Sequence, residues 1–228
     1  MPAWPATEAA AVAEQHRLRA LVYPTGPAPA DGALVAGVDV AYDDERDVVV
    51  AAAVLVDFGT LETVEETTAT GPVSFPYVPG LLAFRELPPV LDALAALRRR
   101  PDLVLCDGYG LAHPRRLGLA SHLGVLTGLR TAGVAKTPFT FTHEAPGPAR
   151  GDWSPLLDGA EVVGRALRTQ TGVKPVFVSV GHRIGLAEAC EATLALTPDY
   201  RLPETTRRAD SLCRRTLAEA GPHTEARS

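Results

Sequence analysis

A chain of 228 residues is long enough for one sizeable hydrophobic core, and no stretch in its middle is composed like an interdomain linker, so a single domain over 1–228 is expected. Hydrophobic residues at 46% and charged residues at 21% are ordinary for a globular protein, while a formal net charge of −5 excludes a general polyanion binder, whose affinity would come from neutralising phosphates. Cys106, Cys190 and Cys213 include no Cys-x-x-Cys pair, and no run reaches the roughly 18 apolar residues of a membrane span, which points to free thiols in a cytoplasmic protein.

From the N-terminus, Thr7 to Val22 is an alanine-rich helical pattern broken by Glu8, Glu14, Arg17 and Arg19; it lacks the basic start and unbroken apolar core of a signal peptide. Leu34 to Tyr42, LVAGVDVAY, reads as a strand that Asp39 interrupts. An ionised carboxylate so placed costs several kcal/mol unless it is paired or binds a metal, and the strand offers no basic partner. Asp47 to Phe58 and Leu61 to Ala69 follow as two further strands, their short connections predicting antiparallel hairpins. PYVPG then opens a helix from about Gly80, with Leu81, Leu82, Leu91, Leu94 and Leu97 on its apolar spacing and Arg85 and Glu86 near its start.

Leu103 to His122, LVLCDGYGLAHPRRLGLASH, carries the most information. Its first four residues read as a strand covered on both faces, Asp107 stands where the run ends, and Gly108 and Gly110 permit a tight turn and close approach to a ligand. Ligands bind at the carboxyl ends of strands in open α/β sheets. His113 precedes a helix predicted from about Pro114 to Leu129 that carries Arg115 and Arg116. A strand at Gly133 leads to Lys136, His143 to Pro155 reads as a long loop, and Pro175 to Val180 reads as a strand followed by His182. Helices are expected near Ile184 and Thr205, the second bearing Asp210, before a disordered tail from Gly221. A hairpin sheet followed by alternating helix and strand predicts an α/β fold, a mixed sheet flanked by helices. Asp39, Glu86 and Asp107 come from separate elements, and carboxylates that converge call for a hard divalent cation, Mg2+ or Mn2+. The pairs Arg207 with Arg208 and Arg214 with Arg215 read as solvated helix faces, whereas Arg115 and Arg116, just beyond Asp107, read as part of the candidate site.

The segments VAGVDVAY, PYVPGLLAFRE, LCDGYGLAHPRRLGLASHLGV, GVAK, RTQTGVKPVFVSVGHRI and YRLPETTRRAD, in this order from about Leu34 to about Asp210, resemble endonuclease V, the deoxyinosine-directed nuclease family. Tyr109, within the glycine turn, and Thr137 with Pro138, after Lys136, depart from the commoner family pattern. The resemblance implies a ribonuclease H-like fold, which periodicity alone does not select, and hydrolysis of the second phosphodiester bond 3′ to deoxyinosine, leaving a 3′-hydroxyl and a 5′-phosphate. It implies Asp39 and Asp107 as metal ligands, Glu86 completing the acidic site directly or through water, and Lys136 beside the scissile phosphate. His113 is a candidate contact to phosphate or attacking water, His182 a second candidate at the same end of the sheet, and Asp210 a fourth acid. Tyr77 matches the family's strand-separating tyrosine, stacking where a flipped base leaves a gap, with Pro76 and Pro79 stiffening its loop. Gly80 and Gly108 are expected to give hypoxanthine room and backbone hydrogen bonds, and Arg85, Arg115 and Arg116 complete the DNA-contacting set. The partner implied is DNA containing deoxyinosine or another deaminated base, cut by a monomer. Inosine-containing RNA or branched DNA is the alternative substrate, and an inactive nucleic-acid binding module the alternative of another class.

Overall fold

Strands β1 (Leu34–Asp43), β2 (Val48–Asp57) and β3 (Thr63–Pro72) form the antiparallel meander that their short connections predict. The free edge of β1 pairs in parallel with β4 (Leu103–Cys106), and β4 in parallel with β5 (Thr131–Ala135). β8 (Val176–His182) returns antiparallel to β5 and pairs with β7 (Glu161–Leu167), which pairs with β6 (Trp153–Asp158). The result is a mixed eight-stranded sheet in the order β3-β2-β1-β4-β5-β8-β7-β6. This computed structural model describes residues 4–220, and the tail expected to be disordered from Gly221 lies outside them.

Helices α1 (Glu8–Leu18), α2 (Leu82–Ala95), α3 (Leu119–Thr127), α4 (Leu186–Ala195) and α5 (Glu204–Glu219) complete the layers. Side chains alternate across β1, so Leu34, Ala36 and Val38 pack with Leu87, Val90 and Leu123 of α2 and α3, whereas Val35 and Ala41 pack in the cluster that holds Ala192, Ala209 and Leu212 of α4 and α5. β1 and β4 are thereby covered on both faces, which accounts for their near-continuous apolar runs. At Gly37 the backbone of Thr205 fills the space that a Cβ would need, and this close crossing of α5 over β1 carries Asp210 toward Asp39. Among the described residues no helix is long and apolar enough to cross a membrane.

Pro88 and Pro89 lie inside α2. Pro88 has no N–H to give the carbonyl of Phe84, and the indole of Trp4 donates to that carbonyl instead, at 2.7 Å. Two elements differ from the sequence expectation. α3 begins at Leu119 rather than near Pro114, because Arg116 takes a left-handed φ of 55° and Gly118, in extended backbone, donates to the carbonyl of Gly110 at 3.0 Å. The stretch expected to be a long loop to Pro155 ends instead in β6, whose hairpin with β7 turns at Gly159 with a φ of 60°. Pro155 is tolerated because β6 is an edge strand.

Candidate active site

The parallel strands β1 and β4 deliver two acids to one end of the sheet. Asp39 sits within β1, Asp107 directly follows β4, and Lys136 directly follows β5. With Asp210 and Arg207 from α5, these residues line a cavity of about 230 Å³. Lys136 Nζ lies 2.5 Å from Asp107 Oδ2. Burial alone would lower the lysine's pKa, but its bond to Asp107 and the charges of Asp39 and Asp210 hold the ammonium above the usual lysine range.

Asp39 is pushed up to about 7, first by burial and then by the charge of Asp107, with Asp210 adding to it against a hydrogen bond from the Val40 amide and the charge of Lys136. Glu86, on the second turn of α2, is buried behind Asp39 and takes a 3.2 Å hydrogen bond from the hydroxyl of Tyr42. Burial, then the charge of Asp39, pushes its carboxyl up to about 8. Carboxylates that raise one another in this way form an all-oxygen donor set of the kind a hard divalent cation neutralises. Among the described residues no three acids, histidines or cysteines stand as a ready-made ligand cluster. The donors fit Mg2+ nevertheless, since that ion is commonly held by one or two carboxylates with waters and substrate phosphates.

A second cavity, of about 370 Å³, opens on the other side of Asp107. Its walls are the Tyr77–Ala83 loop and helix start, the Gly108–Leu119 segment and Thr137–Phe139. Tyr77 stands at its mouth with 71% of its surface exposed, as a stacking wedge requires. Gly80 adopts a φ of 80°, and a Cβ there would meet the guanidinium of Arg115. Tyr109, which departs from the family pattern, donates its hydroxyl to the carbonyl of Thr137 at 3.1 Å and sets its ring against Phe139. The turn after β4 is thus tied to the segment that follows Lys136.

Several expected contacts are used inside the protein instead. His113 is buried, and burial followed by the charge of Arg115 pulls its pKa down to about 4. Its Nε2 lies 3.0 Å from the carbonyl of Gly80 and its Nδ1 accepts from the Arg115 amide at 3.2 Å, so both ring nitrogens are engaged and the ring serves as cavity wall rather than as a contact to phosphate or water. Arg115 donates to Gln15 and to the carbonyl of Gly80. Arg116 pairs with Asp158 at 2.7 Å and Glu161 at 2.5 Å, both in the β6–β7 hairpin. Arg85 pairs with Asp44 at 2.7 Å and lies over the Tyr42 ring, bracing the side chain that donates to Glu86. His182 is placed at the wrong end. β8 runs antiparallel to β5, so His182 pairs with Thr131 at the start of β5, away from Lys136, and its Nδ1 accepts from the Tyr23 amide.

Two site residues escaped the sequence reading. Arg207 lines the acidic cavity, where it pairs with Glu204 and lies over the Tyr200 ring; its spacing of three residues before Asp210 on one helix was the available signal. Gln15 lines the second cavity from α1, and the signal was an amide set among Ala11 and Leu18 in the buried stripe of that helix.

The chain resembles known proteins in sequence and fold. A family profile described as Endonuclease V matches residues 16–211. An endonuclease V of Streptomyces coelicolor is 70% identical over 218 residues, covering 95% of this chain and 94% of the relative. The crystal structure of the Streptomyces avermitilis endonuclease V superposes with a TM-score of 0.94 at 68% identity, over 97% of this chain and 98% of that one. A Ciona intestinalis endonuclease V, solved in complex with a 24-mer DNA containing an inosine followed by a ribo-adenosine, has a TM-score of 0.80 at 29% identity, over 93% and 98% of the two chains. The mixed sheet with flanking helices is therefore the ribonuclease H-like fold that the motifs implied, and this chain belongs to the endonuclease V family.

Proposed function

We propose that the protein is a divalent-metal-dependent endonuclease that recognises deoxyinosine in DNA and hydrolyses the second phosphodiester bond 3′ to it. One observation carries this reading: Asp107 borders both cavities, so a base lodged in the larger one brings the backbone of its own strand to the acidic one. The inosine-containing DNA bound by the Ciona intestinalis relative supports inosine as that base.

Tyr77 fills the gap left by the extruded base, and the cavity beside Gly80 and Gly108 receives it. Asp39 and Asp107 would hold the cation, with Asp210 facing them across the cavity and Glu86 completing the acidic group from behind. A metal bound there would supply an activated water and stabilisation of the leaving oxygen. Lys136, about half exposed and fixed by Asp107, offsets the negative charge that accumulates on the phosphoryl oxygens in the transition state. The water oxygen bonds to phosphorus as the bond from phosphorus to the 3′ oxygen breaks. The attacking water gives up one proton to solvent and the 3′ oxygen takes one up, which leaves a 3′-hydroxyl and a 5′-phosphate.

The test is a fluorescent inosine-containing oligonucleotide with Mg2+, with excess EDTA and with Ca2+. Cleavage one nucleotide beyond the lesion is expected with Mg2+, none with EDTA, and binding with little turnover with Ca2+, whose looser coordination aligns the reacting groups poorly. Full activity in EDTA would overturn the metal requirement, and equal cutting of the undamaged sequence would overturn the base. A matched inosine-containing RNA strand reads the sugar preference in the same assay.

A further inference from the structure

Gln15 is fully buried in α1, and a buried primary amide is costly unless both its oxygen and its NH2 find partners. Here all of them do. Nε2 donates to the carbonyl of Gly80 at 2.9 Å and to the carbonyl of Leu117 at 3.2 Å, while Oε1 accepts from Nε of Arg115. The reverse orientation of the amide would set its NH2 against a guanidinium, so the network fixes which atom is which. Gly80 and Leu117 belong to different walls of the larger cavity, the wedge loop and the segment after β4. One side chain therefore bridges both walls.

The carbonyl of Gly80 also receives Nη2 of Arg115 at 2.8 Å and Nε2 of His113 at 3.0 Å. Three side-chain donors on one carbonyl are more than its two lone pairs need, and more than a turn needs to hold its shape. Two of those donors come from the Gly108–Leu119 segment and the third from α1, so the wedge loop is held at a set distance from the opposite wall. A carbonyl so occupied is closed to the base as an acceptor. The wall can then select by width alone, and hypoxanthine differs from guanine by the absence of a 2-amino group.

We propose that Gln15 is a specificity-determining positioning residue: by bridging Gly80 and Leu117 it fixes the width of the base cavity, which admits hypoxanthine and excludes guanine with its 2-amino group. The proposal rests on the deoxyinosine reading above. Its test uses single strands, where no base pair must be broken, carrying inosine or deoxyguanosine at one position in an otherwise uniform thymidine tract. Gln15→Met keeps the shape and removes the hydrogen bonds; Gln15→Glu keeps the acceptor for Arg115 and removes the donors. Both are expected to raise KM for the inosine strand and to shrink the inosine-to-guanosine preference by about tenfold each, with a smaller loss in kcat.

Should Gln15→Met lack wild-type circular dichroism, Arg115→Met removes a second hold on Gly80 without altering α1 and carries the same expectation. Failure of the wild-type protein to prefer inosine would overturn the underlying reading. A wild-type preference that survives intact in a folded Gln15 or Arg115 variant, or a loss confined to kcat, would overturn the role of the bridge alone.

Discussion

The two cavities that meet at Asp107 are built on opposite rules. In the larger one the polar groups already have protein partners: His113 uses both ring nitrogens, the Gly80 carbonyl holds three side-chain donors, and the hydroxyl of Tyr109 is on Thr137. In the smaller one Asp39, Asp107 and Asp210 confront one another with Lys136 as partial relief. A wall with satisfied hydrogen bonds keeps its shape and discriminates by fit. A group of like charges is unfavourable in the folded protein, and that cost is what a bound cation would relieve. On the proposed function, recognition and chemistry are thus assigned to separate cavities, and each should be breakable without the other.

The largest effect is expected at Asp39. Asp39→Asn should lower kcat on inosine-DNA on the order of 10³-fold or more, because it removes a proposed metal ligand, while preference for inosine in binding persists. The same substitution should stabilise the protein in chelator. The carboxyl of Asp39 rises from 3.8 to about 7 on folding. A raised carboxylate pKa means that the folded state holds the proton the unfolded chain has lost, so stability falls as pH rises from near 4 to near 7. Removing that charge should recover on the order of 2 to 4 kcal/mol at neutral pH. Thermal melting of both proteins in EDTA at pH 4.5 and 7.5 reads this, and a wild-type melt that rises across the interval as steeply as the variant's would contradict it.

The converse break is at Tyr77. Tyr77→Ala should cost roughly 1 to 3 kcal/mol of discrimination for inosine, the worth of one stacked base, and Tyr77→Phe much less because the ring does the stacking. Metal-dependent cutting should persist at a reduced rate, since the acids are untouched. Electrophoretic binding with Ca2+ on inosine and undamaged duplexes measures the first effect and single-turnover cleavage the second. An unchanged preference in Tyr77→Ala would assign the exposed ring to no more than the entry of α2.

What was legible in the sequence follows the same division. Asp39 and Asp107 show themselves because each interrupts or ends an apolar strand, and local pattern is enough to see it. Two of the motifs that carried the family resemblance, VAGVDVAY and LCDGYGLAHPRRLGLASHLGV, contain these acids. The larger cavity was legible only through its loop, because its internal partners are remote along the chain: Arg115 meets Gln15 a hundred residues away, and Arg116 meets acids of a hairpin. That hairpin was itself missed because Pro155 demotes the strand and the proline- and glycine-rich run before it resembles a loop, although Asp158 with Gly159 is a hairpin turn signal. The placement of His182 failed on strand direction, which depends on a pairing with β5 that no local pattern contains.

The arginines give the finest test of the comparison. Their place just beyond Asp107 made Arg115 and Arg116 look like phosphate contacts, while Arg207 read as part of a solvated face, and the lining of the acidic cavity by Arg207 favours the reverse order. Arg207 borders the acidic cavity with 36% of its side chain exposed, beside Asp39 and Asp107, where the proposed scissile phosphate would approach. Arg116 is 20% exposed and faces the two acids of the hairpin. Each phosphate contact contributes a slope of about −0.9 to the dependence of log affinity on log salt for duplex DNA. Arg207→Ala should therefore reduce the magnitude of that slope by about 1, uniformly across inosine and undamaged duplexes. Arg116→Ala should leave the slope unchanged and cost up to about 1 kcal/mol of stability, because its partners Asp158 and Glu161 are half exposed and solvent screens the pairs. Fluorescence anisotropy with Ca2+ over a salt series and thermal melting separate the two. A slope that falls with Arg116→Ala and not with Arg207→Ala would place the strand over the hairpin rather than along α5.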